Sequence, residues 1–453
     1  MYTPHTQRDI EEMLAVIGAS SLDDLVRVPE NVALRATLML PPATPEMELA
    51  GRFAAIAERN SGAAAISFLG AGAYRHYIPP VLGALAMRGE FLTSYTPYQA
   101  EVSQGYLQAI YEWQSYVAVL TGLEVANASV YDGATALAEG AIMAINANGR
   151  RALLVSDAVH PNYRAVLKTY CDGLDVAIEA LPYGADGRTD LAGAPAALAS
   201  KRYAAIVVQT PNFFGTIDSL PPEVAAAAKA SGTLVIGVTA EALSLAALVT
   251  PASWGVDIAV GEGQSFGVPV AYGGPYVGFI ATTKEHLRRI PGRLVGKTVD
   301  VGGKPAFVLT LQAREQHIRR EKATSNICTN QAHCALLATI YLAAVGKTGL
   351  RDCAAMNLAA ARKLAAAVTA IDGFEQRFPD PYFNELVVRV PGRAADVLAM
   401  LAERGILGGV DCGRFYSELA DCILMTATEL TTDGQIAQLA AAHKESTRVA
   451  ARV

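Results

Sequence analysis

The sequence predicts an α/β protein: a mostly parallel sheet with helices on both faces, followed by a small α+β unit. Three observations carry this expectation. Short β-branched or apolar runs recur at 153–155, 206–209, 234–238, 258–260 and 277–281, with helical segments between most of them. Strands that alternate with helices pair in parallel and are covered on both faces. After about residue 332 the pattern changes to a long apolar helix, then strand, helix, strand and helix in a short stretch. Finally, a chain of 453 residues that is 52% apolar and 18% charged is globular and large enough to divide.

The elements follow in order. Thr6 and Asp9 form a variant capping box, Ile10, Met13, Leu14 and Ile17 recur at helical spacing, and Gly18 stops the helix. Residues 28–45 are Pro-containing and read as an extended arm, and 46–130 as helix-rich. The strand-and-helix stretch comes next, its last two strands joined by a long Gly-rich loop. The apolar run 336–342 leads to Gly346. A strand at 386–390, the turn Pro391-Gly392, a helix at 394–403 and a strand near 422–427 follow, and Thr431-Thr432-Asp433 caps a final helix. The expected domains are 1–60, an N-terminal helix and arm; 61–331, the large α/β domain; and 332–453, the small α+β domain.

Charge and composition narrow the function. The net charge of −6 and pI near 5.7 leave no electrostatic footprint for nucleic acid. The start, 1–14, is polar and charged, unlike a secretory signal. The stretch 335–345 is broken by Thr339 and is too short to span a bilayer, so no membrane is expected. Cys171, Cys328, Cys334, Cys353, Cys412 and Cys422 include no CxxC pair and read as reduced thiols of a cytoplasmic protein. His317, Cys328, His333 and Cys334 match no zinc spacing, so no metal is expected.

Several segments could carry chemistry. Tyr131-Asp132-Gly133-Ala134-Thr135 opens a helix whose free N–H groups make an anion site or an ordinary capped start. Gly261 to Gly267, with Tyr272-Gly273-Gly274-Pro275, is dense enough in glycine for a tight loop or one facing a cofactor. The charged run 314–322 reads as a solvated helix face, interrupted by Thr324-Ser325-Asn326. Tyr74-Arg75-His76-Tyr77 is a polar cluster before Pro79-Pro80. Arg288, Arg289, Arg293 and Lys297 form a basic run in an acidic chain.

Four segments together resemble the glycine dehydrogenase (decarboxylating) P-protein family, and within it subunit 1, the α chain of the split form. They are Ser67-Phe68-Leu69-Gly70-Ala71-Gly72 with Tyr74-Arg75-His76-Tyr77; Tyr95-Thr96-Pro97-Tyr98-Gln99 with Glu101 and Ser103-Gln104-Gly105; Thr121-Gly122-Leu123 with Ala126-Asn127-Ala128-Ser129; and Arg314 through Thr329. The resemblance runs through nearly the whole chain. It implies a fold-type-I pyridoxal-phosphate (PLP) architecture. It implies the decarboxylation of glycine on PLP, and transfer of the aminomethyl group to the lipoyl arm of the glycine cleavage H-protein.

The same resemblance exposes two departures. Where the catalytic chain of the family carries His-Lys-Thr-Phe, this sequence has Gly263-Gln264-Ser265-Phe266, and Gln264 forms no imine. Where an aspartate for the pyridine nitrogen is expected, near Gly237, no carboxylate appears before Glu241. The expectation is a chain without covalent PLP, paired with a β subunit that holds it, in an α2β2 assembly. Tyr95, Tyr98 and Gln99, with His76 and Arg75 behind them, would reach the partner's site, and Gly133, Ala134 and Thr135 would be a vestigial anion loop. The basic run 288–297 would steer an acidic H-protein. The competing readings are a non-enzymatic scaffold subunit and a stand-alone PLP enzyme using another lysine, of which Lys284 lies nearest.

Overall fold

The computed structural model describes residues 4–450 except 27, 35, 37, 328 and 380, with the side chains of 445–450 also left aside. The chain forms two compact units, Met1–Asn60 and Ser61–Val453. In the first, helix α1 (Gln7–Ile17) carries the capping box: the Asp9 N–H donates to the Thr6 hydroxyl and the Thr6 N–H donates to the Asp9 carboxylate. Gly18 ends it at φ 77°. Helix α2 spans Glu46–Ala57.

The second unit begins with strand β1 (Ile66–Ser67), helices α3 (Val81–Ala86) and α4 (Gln104–Thr121), strand β2 (Val125–Ala126) and helix α5 (Gly133–Asn148). Then come β3 (Ala152–Ser156), α6 (Pro161–Leu174), β4 (Ala177–Leu181), α7 (Ala194–Ala199), β5 (Ala205–Gln209), α8 (Pro222–Ser231), β6 (Leu234–Thr239), β7 (Ile258–Glu262) and β8 (Gly278–Thr282). Strands β2 to β8 make one seven-stranded sheet in the order β2-β8-β7-β6-β5-β3-β4. From β4 to β7 neighbours run parallel; β8 runs antiparallel to both of its neighbours.

Alternation along each central strand fills two layers. Leu153, Val155, Val207, Ile236, Val238 and Val260 pack against α5 and α6. Leu154, Ile206, Val208, Val235 and Ala259 face the opposite core, which includes residues of α4, α7, α8 and the first half of a later helix. Two-sided burial explains why these strands read as continuous apolar runs. Each large apolar side chain so buried contributes roughly 1.5–3 kcal/mol.

A hairpin of β9 (Leu294–Val299) and β10 (Pro305–Thr310) follows. The charged run was expected to be a solvated helix. It forms only the short helix α9 (Gln316–Arg319), because Leu311 and Arg320 sit at φ 53° and 51° and stop regular helix on both sides. The apolar run 336–342 belongs to α10 (Ala332–Thr369), which continues through a kink at Gly346 (φ 61°, ψ −176°). By length and composition α10 could cross a membrane. Its first half is packed into the core beneath the large sheet and its second half into the C-terminal core.

The C-terminal core is built on an antiparallel sheet in the order β11-β12-β15-β14, with β11 at Glu375–Gln376, β12 at Glu385–Arg389, β14 at Val410–Asp411 and β15 at Cys422–Thr426. Helices α11 (Ala394–Glu403) and α12 (Asp433–Ala450) complete it. Strand β13 (Ile406–Leu407) pairs in parallel with β1, and Phe68 is buried in the same core. The C-terminal core thus receives the chain just before the cluster at 70–77.

The two sheets approach at Gly215, in the loop after β5. Its φ is +81°, and a Cβ there would lie 2.1 Å from the Glu385 carbonyl oxygen. The substitution Gly215→Ala is therefore expected to cost more than about 1 kcal/mol, read as a lower denaturant midpoint. An unchanged midpoint would mean that this contact is not a constraint.

Candidate functional site

In an open α/β sheet ligands gather at the C-terminal ends of the strands. Here those ends are β5, β6 and β7, beside the start of α5. Asp132 caps that helix, accepting from the Thr135 N–H at 2.7 Å. The N–H of Gly133 donates to the Glu262 carboxylate at 2.9 Å. Glu262 ends β7 and also accepts from the N–H groups of Val277 (3.0 Å) and Gln264 (3.1 Å). Burial pushes its pKa up to about 7 against these bonds. A Cβ at Gly133 would lie 2.3 Å from the Tyr163 phenol oxygen, so only glycine fits there. The predicted anion loop, Gly133 to Thr135, is buried, and the anion it faces is a side chain of the same protein.

Gln264 is buried with both ends of its amide in use. Its oxygen accepts from the Tyr74 N–H (2.8 Å), and its nitrogen donates to the carbonyls of Tyr74 (3.0 Å) and Val268 (2.7 Å). The glycine-rich loop is thereby tied to residues 70–77. That segment continues into a buried polar network. The Tyr74 hydroxyl, the Ala71 N–H and the Thr426 hydroxyl all donate to Glu385, whose pKa burial pushes up to about 7. His160 closes the near side: its Nδ1 accepts from the Asn162 N–H, so Nε2 carries the proton and donates to the Ala71 carbonyl at 2.7 Å. Its ring stacks on Tyr163 at 4.8 Å. Burial lowers its pKa, in keeping with a neutral ring.

His76 lies between two carboxylates, with Nε2 3.1 Å from Glu241 and Nδ1 2.9 Å from Glu429. Asn384 donates to Glu241 and Asn357 to Glu429. Burial alone would lower the imidazole pKa, but the two carboxylates outweigh it and hold the pKa at about 10. Arg75 beside it is exposed.

Tyr95, Tyr98 and Gln99 lie elsewhere, on the surface. Tyr95 is 85% and Tyr98 60% exposed. The Tyr95 hydroxyl is 3.5 Å from the Thr329 hydroxyl and borders a cavity of about 280 Å³ that Pro275, Asn330 and His333 also line. The Tyr98 ring meets His317 edge-on at 6.0 Å and Arg293 at 5.8 Å. The structure thus joins the Tyr95-to-Gln99 motif to the 314–330 segment, and Arg75-His76 to Glu241 and Glu429. It does not join the two groups to each other.

Arg288, Arg289 and Lys297 are exposed, but Arg293 is buried beside Glu315 and Tyr98. The basic run is therefore not one surface patch, because the chain turns Arg293 inward to hold the Tyr98 loop. Every lysine of the chain is exposed, and Lys284 pairs with Glu124 at 3.4 Å. Of the residues weighed as metal ligands, Cys328 lies outside the described residues; among those described, no metal-ligating cluster forms. Sequence reasoning missed Glu262, Glu385, Glu429 and His160. Only Glu262 left a signal, a carboxylate closing an otherwise apolar strand.

The fold is that of the fold-type-I PLP-dependent enzymes. A Lactobacillus brevis glutamate decarboxylase (TM-score 0.65, 13% identity, 94% of this chain and 96% of that one) and a Burkholderia pseudomallei sphingosine-1-phosphate lyase (0.64, 14%, 93% and 96%) share it. A family model for the glycine cleavage system P-protein matches residues 1–443, and the chain belongs to that family. It is 49% identical to the probable glycine dehydrogenase (decarboxylating) subunit 1 of Moorella thermoacetica, over 97% of this chain and 98% of the relative. Its counterpart in Anaeromyxobacter sp. is 50% identical over 95% and 97%. The crystal structure of an inhibitor-bound glycine decarboxylase (P-protein) of the glycine cleavage system superposes with TM-score 0.89 at 45% identity, over 98% and 99%.

The charged His76 carries a stability signature. The folded ring holds its proton to about pH 10, whereas an unfolded imidazole loses it near about 6.5. The folded state binds more protons in that window, so this contribution is full below it and is lost as pH rises through it. Replacing His76 by Gln strands two buried carboxylates and is expected to cost about 3–5 kcal/mol at neutral pH. The gap between wild type and His76→Gln in urea denaturation should narrow toward about pH 10; a gap independent of pH would mean the ring is neutral.

Proposed function

We propose that this chain is the cofactor-free subunit of a two-chain glycine dehydrogenase (decarboxylating). It works with a second, β subunit that holds PLP, in an α2β2 assembly in the cytoplasm. The complex decarboxylates glycine and passes the aminomethyl group to the lipoyl arm of H-protein. The relatives' names support the subunit role. The observation that carries the reading is Gln264, at the place the family resemblance gives the Schiff-base lysine, with its whole amide engaged by Tyr74 and Val268. The residues around it do not fit PLP. The Gly133 N–H is committed to Glu262, Tyr163 fills the space above Gly133, and every lysine lies on the surface.

What this chain supplies is then a surface. Tyr95, Tyr98 and Gln99 present two phenols and an amide outward, with Arg293 and the 314–330 segment behind them. Such groups orient a substrate carboxylate or the lipoyl sulfurs at a neighbour's site. His76 and Arg75 stand further back, His76 fixing the 70–77 segment from inside through Glu241 and Glu429. The stand-alone reading lacks a buried lysine, and Lys284 is spent on Glu124.

The scaffold reading differs in one measurable way. In the reconstituted two-chain enzyme, Tyr95→Phe combined with Tyr98→Phe is expected to lower the rate of glycine decarboxylation on the order of tenfold or more, with assembly intact by gel filtration. An unchanged rate would favour a chain kept only for assembly.

A further inference from the structure

A second cleft, of about 580 Å³, opens further along α5, between that helix, α6 and the strap of residues 321–327. The sequence places Glu139 among Ala136, Leu137, Ala138, Gly140 and Ala141, on an otherwise apolar stretch of helix. The side chain lines this cleft, yet the residue is only 3% exposed. One carboxyl oxygen, Oε2, is buried with no hydrogen-bond partner. Ser325 lines the cleft with Glu139, and burial raises the carboxyl pKa to about 7. Ser325 belongs to the Thr324-Ser325-Asn326 break in the charged run, which the proposed function leaves without a role.

The titratable groups around Glu139 come from each neighbouring element. Tyr131 and Asp132 precede α5, Tyr170 stands on α6, Arg151 precedes β3, and Glu321 lies on the strap. None supplies a cation to the carboxyl. Asp132 caps α5, and Arg151 donates to the Leu174 carbonyl at 2.6 Å. A buried carboxyl with an unused oxygen and no cation is costly unless a donor completes it. The rest of the lining is mixed: Tyr131, Tyr170, Ile142, Leu174 and Ile327 give phenolic and aliphatic surface, and Asn146, Arg151, Thr324 and Asn326 give polar surface. A cleft of this volume, with apolar and phenolic surface beside convergent polar groups, has room for a small molecule.

We propose that this cleft binds a small organic ammonium ion with an apolar or aromatic body, its N–H groups donating to Glu139 and its body lying between Tyr131 and Tyr170. The site is distinct from the ends of β5–β7 and does not rest on the function proposed above. Asn326, exposed on the strap, stands at the mouth of the cleft.

Calorimetric titration of the full chain with phenethylammonium, and with phenethyl alcohol as its neutral counterpart, tests this. The ammonium is expected to saturate one site and to bind at least about tenfold more tightly than the alcohol. Its affinity should rise about tenfold between about pH 6 and about pH 8, as the carboxyl ionises. Glu139→Gln should abolish both the preference and the pH dependence. Asn326→Trp, which leaves the core untouched, should block entry and keeps the test decisive if the first variant does not fold. Equal binding of ammonium and alcohol, no saturable binding of the ammonium, or binding undiminished in the folded variants would overturn the proposal.

Discussion

A helix that begins buried at the ends of a parallel sheet presents unpaired N–H groups and a positive dipole end, and something negative must meet them. In this chain the Glu262 carboxylate does so, from the last position of β7. Hydrogen bonds to a charged group are worth about 1.5–3 kcal/mol each. With Gly133, Val277 and Gln264 all donating, they offset part of the cost of burying the carboxylate. Much of the surrounding arrangement follows. Gly133 must lack a side chain because Tyr163 packs over it. Tyr163 carries the stacked His160, and His160 holds the Ala71 carbonyl. Two residues beyond Glu262, Gln264 grips Tyr74.

These contacts make residues 70–77 the joint between the two sheets. Ala71 and Tyr74 reach Glu385 on β12, His76 reaches Glu241 after β6 and Glu429 after β15, and Thr428 donates to the Arg75 carbonyl. The charged ring of His76 compensates part of the charge of the two carboxylates it joins, and Asn384 and Asn357 donate to them as well. At the ends of the parallel strands, beside the start of α5, side chains and backbone groups satisfy one another. The Tyr95-to-Gln99 motif, by contrast, stays exposed on the surface.

Much of this was legible in the sequence. The runs that became β3, β5, β6, β7 and β8 are apolar because both faces are covered, and helix caps at Thr6 and Asp132 act locally. Strand β4 escaped notice because it lies at the sheet edge, where most of its residues are exposed and no apolar pattern is needed. The hairpin β9–β10 was missed because few of its residues are buried: only Leu294, Val295 and Phe307, too few to set an apolar pattern. The absence of a lysine at Gln264 was readable only through the family resemblance. What Gln264 does instead was not, because its partners are backbone atoms. Glu385 and Glu429 meet their partners across more than three hundred residues of chain, a distance over which no local pattern carries information. Arg293 shows the opposite failure: its charge suggested a surface, and only packing reveals that it is buried beside Glu315 and Tyr98.

The central claim is that this chain has kept the fold and given up the cofactor. It is tested most directly by mixing the purified full chain with PLP, reducing with borohydride, and reading the absorbance and intact mass, first alone and then with its β partner. The account predicts no imine band and no reduced adduct on this chain in either case, with the adduct on the partner alone. A stoichiometric reduced adduct on a lysine of this chain would contradict it.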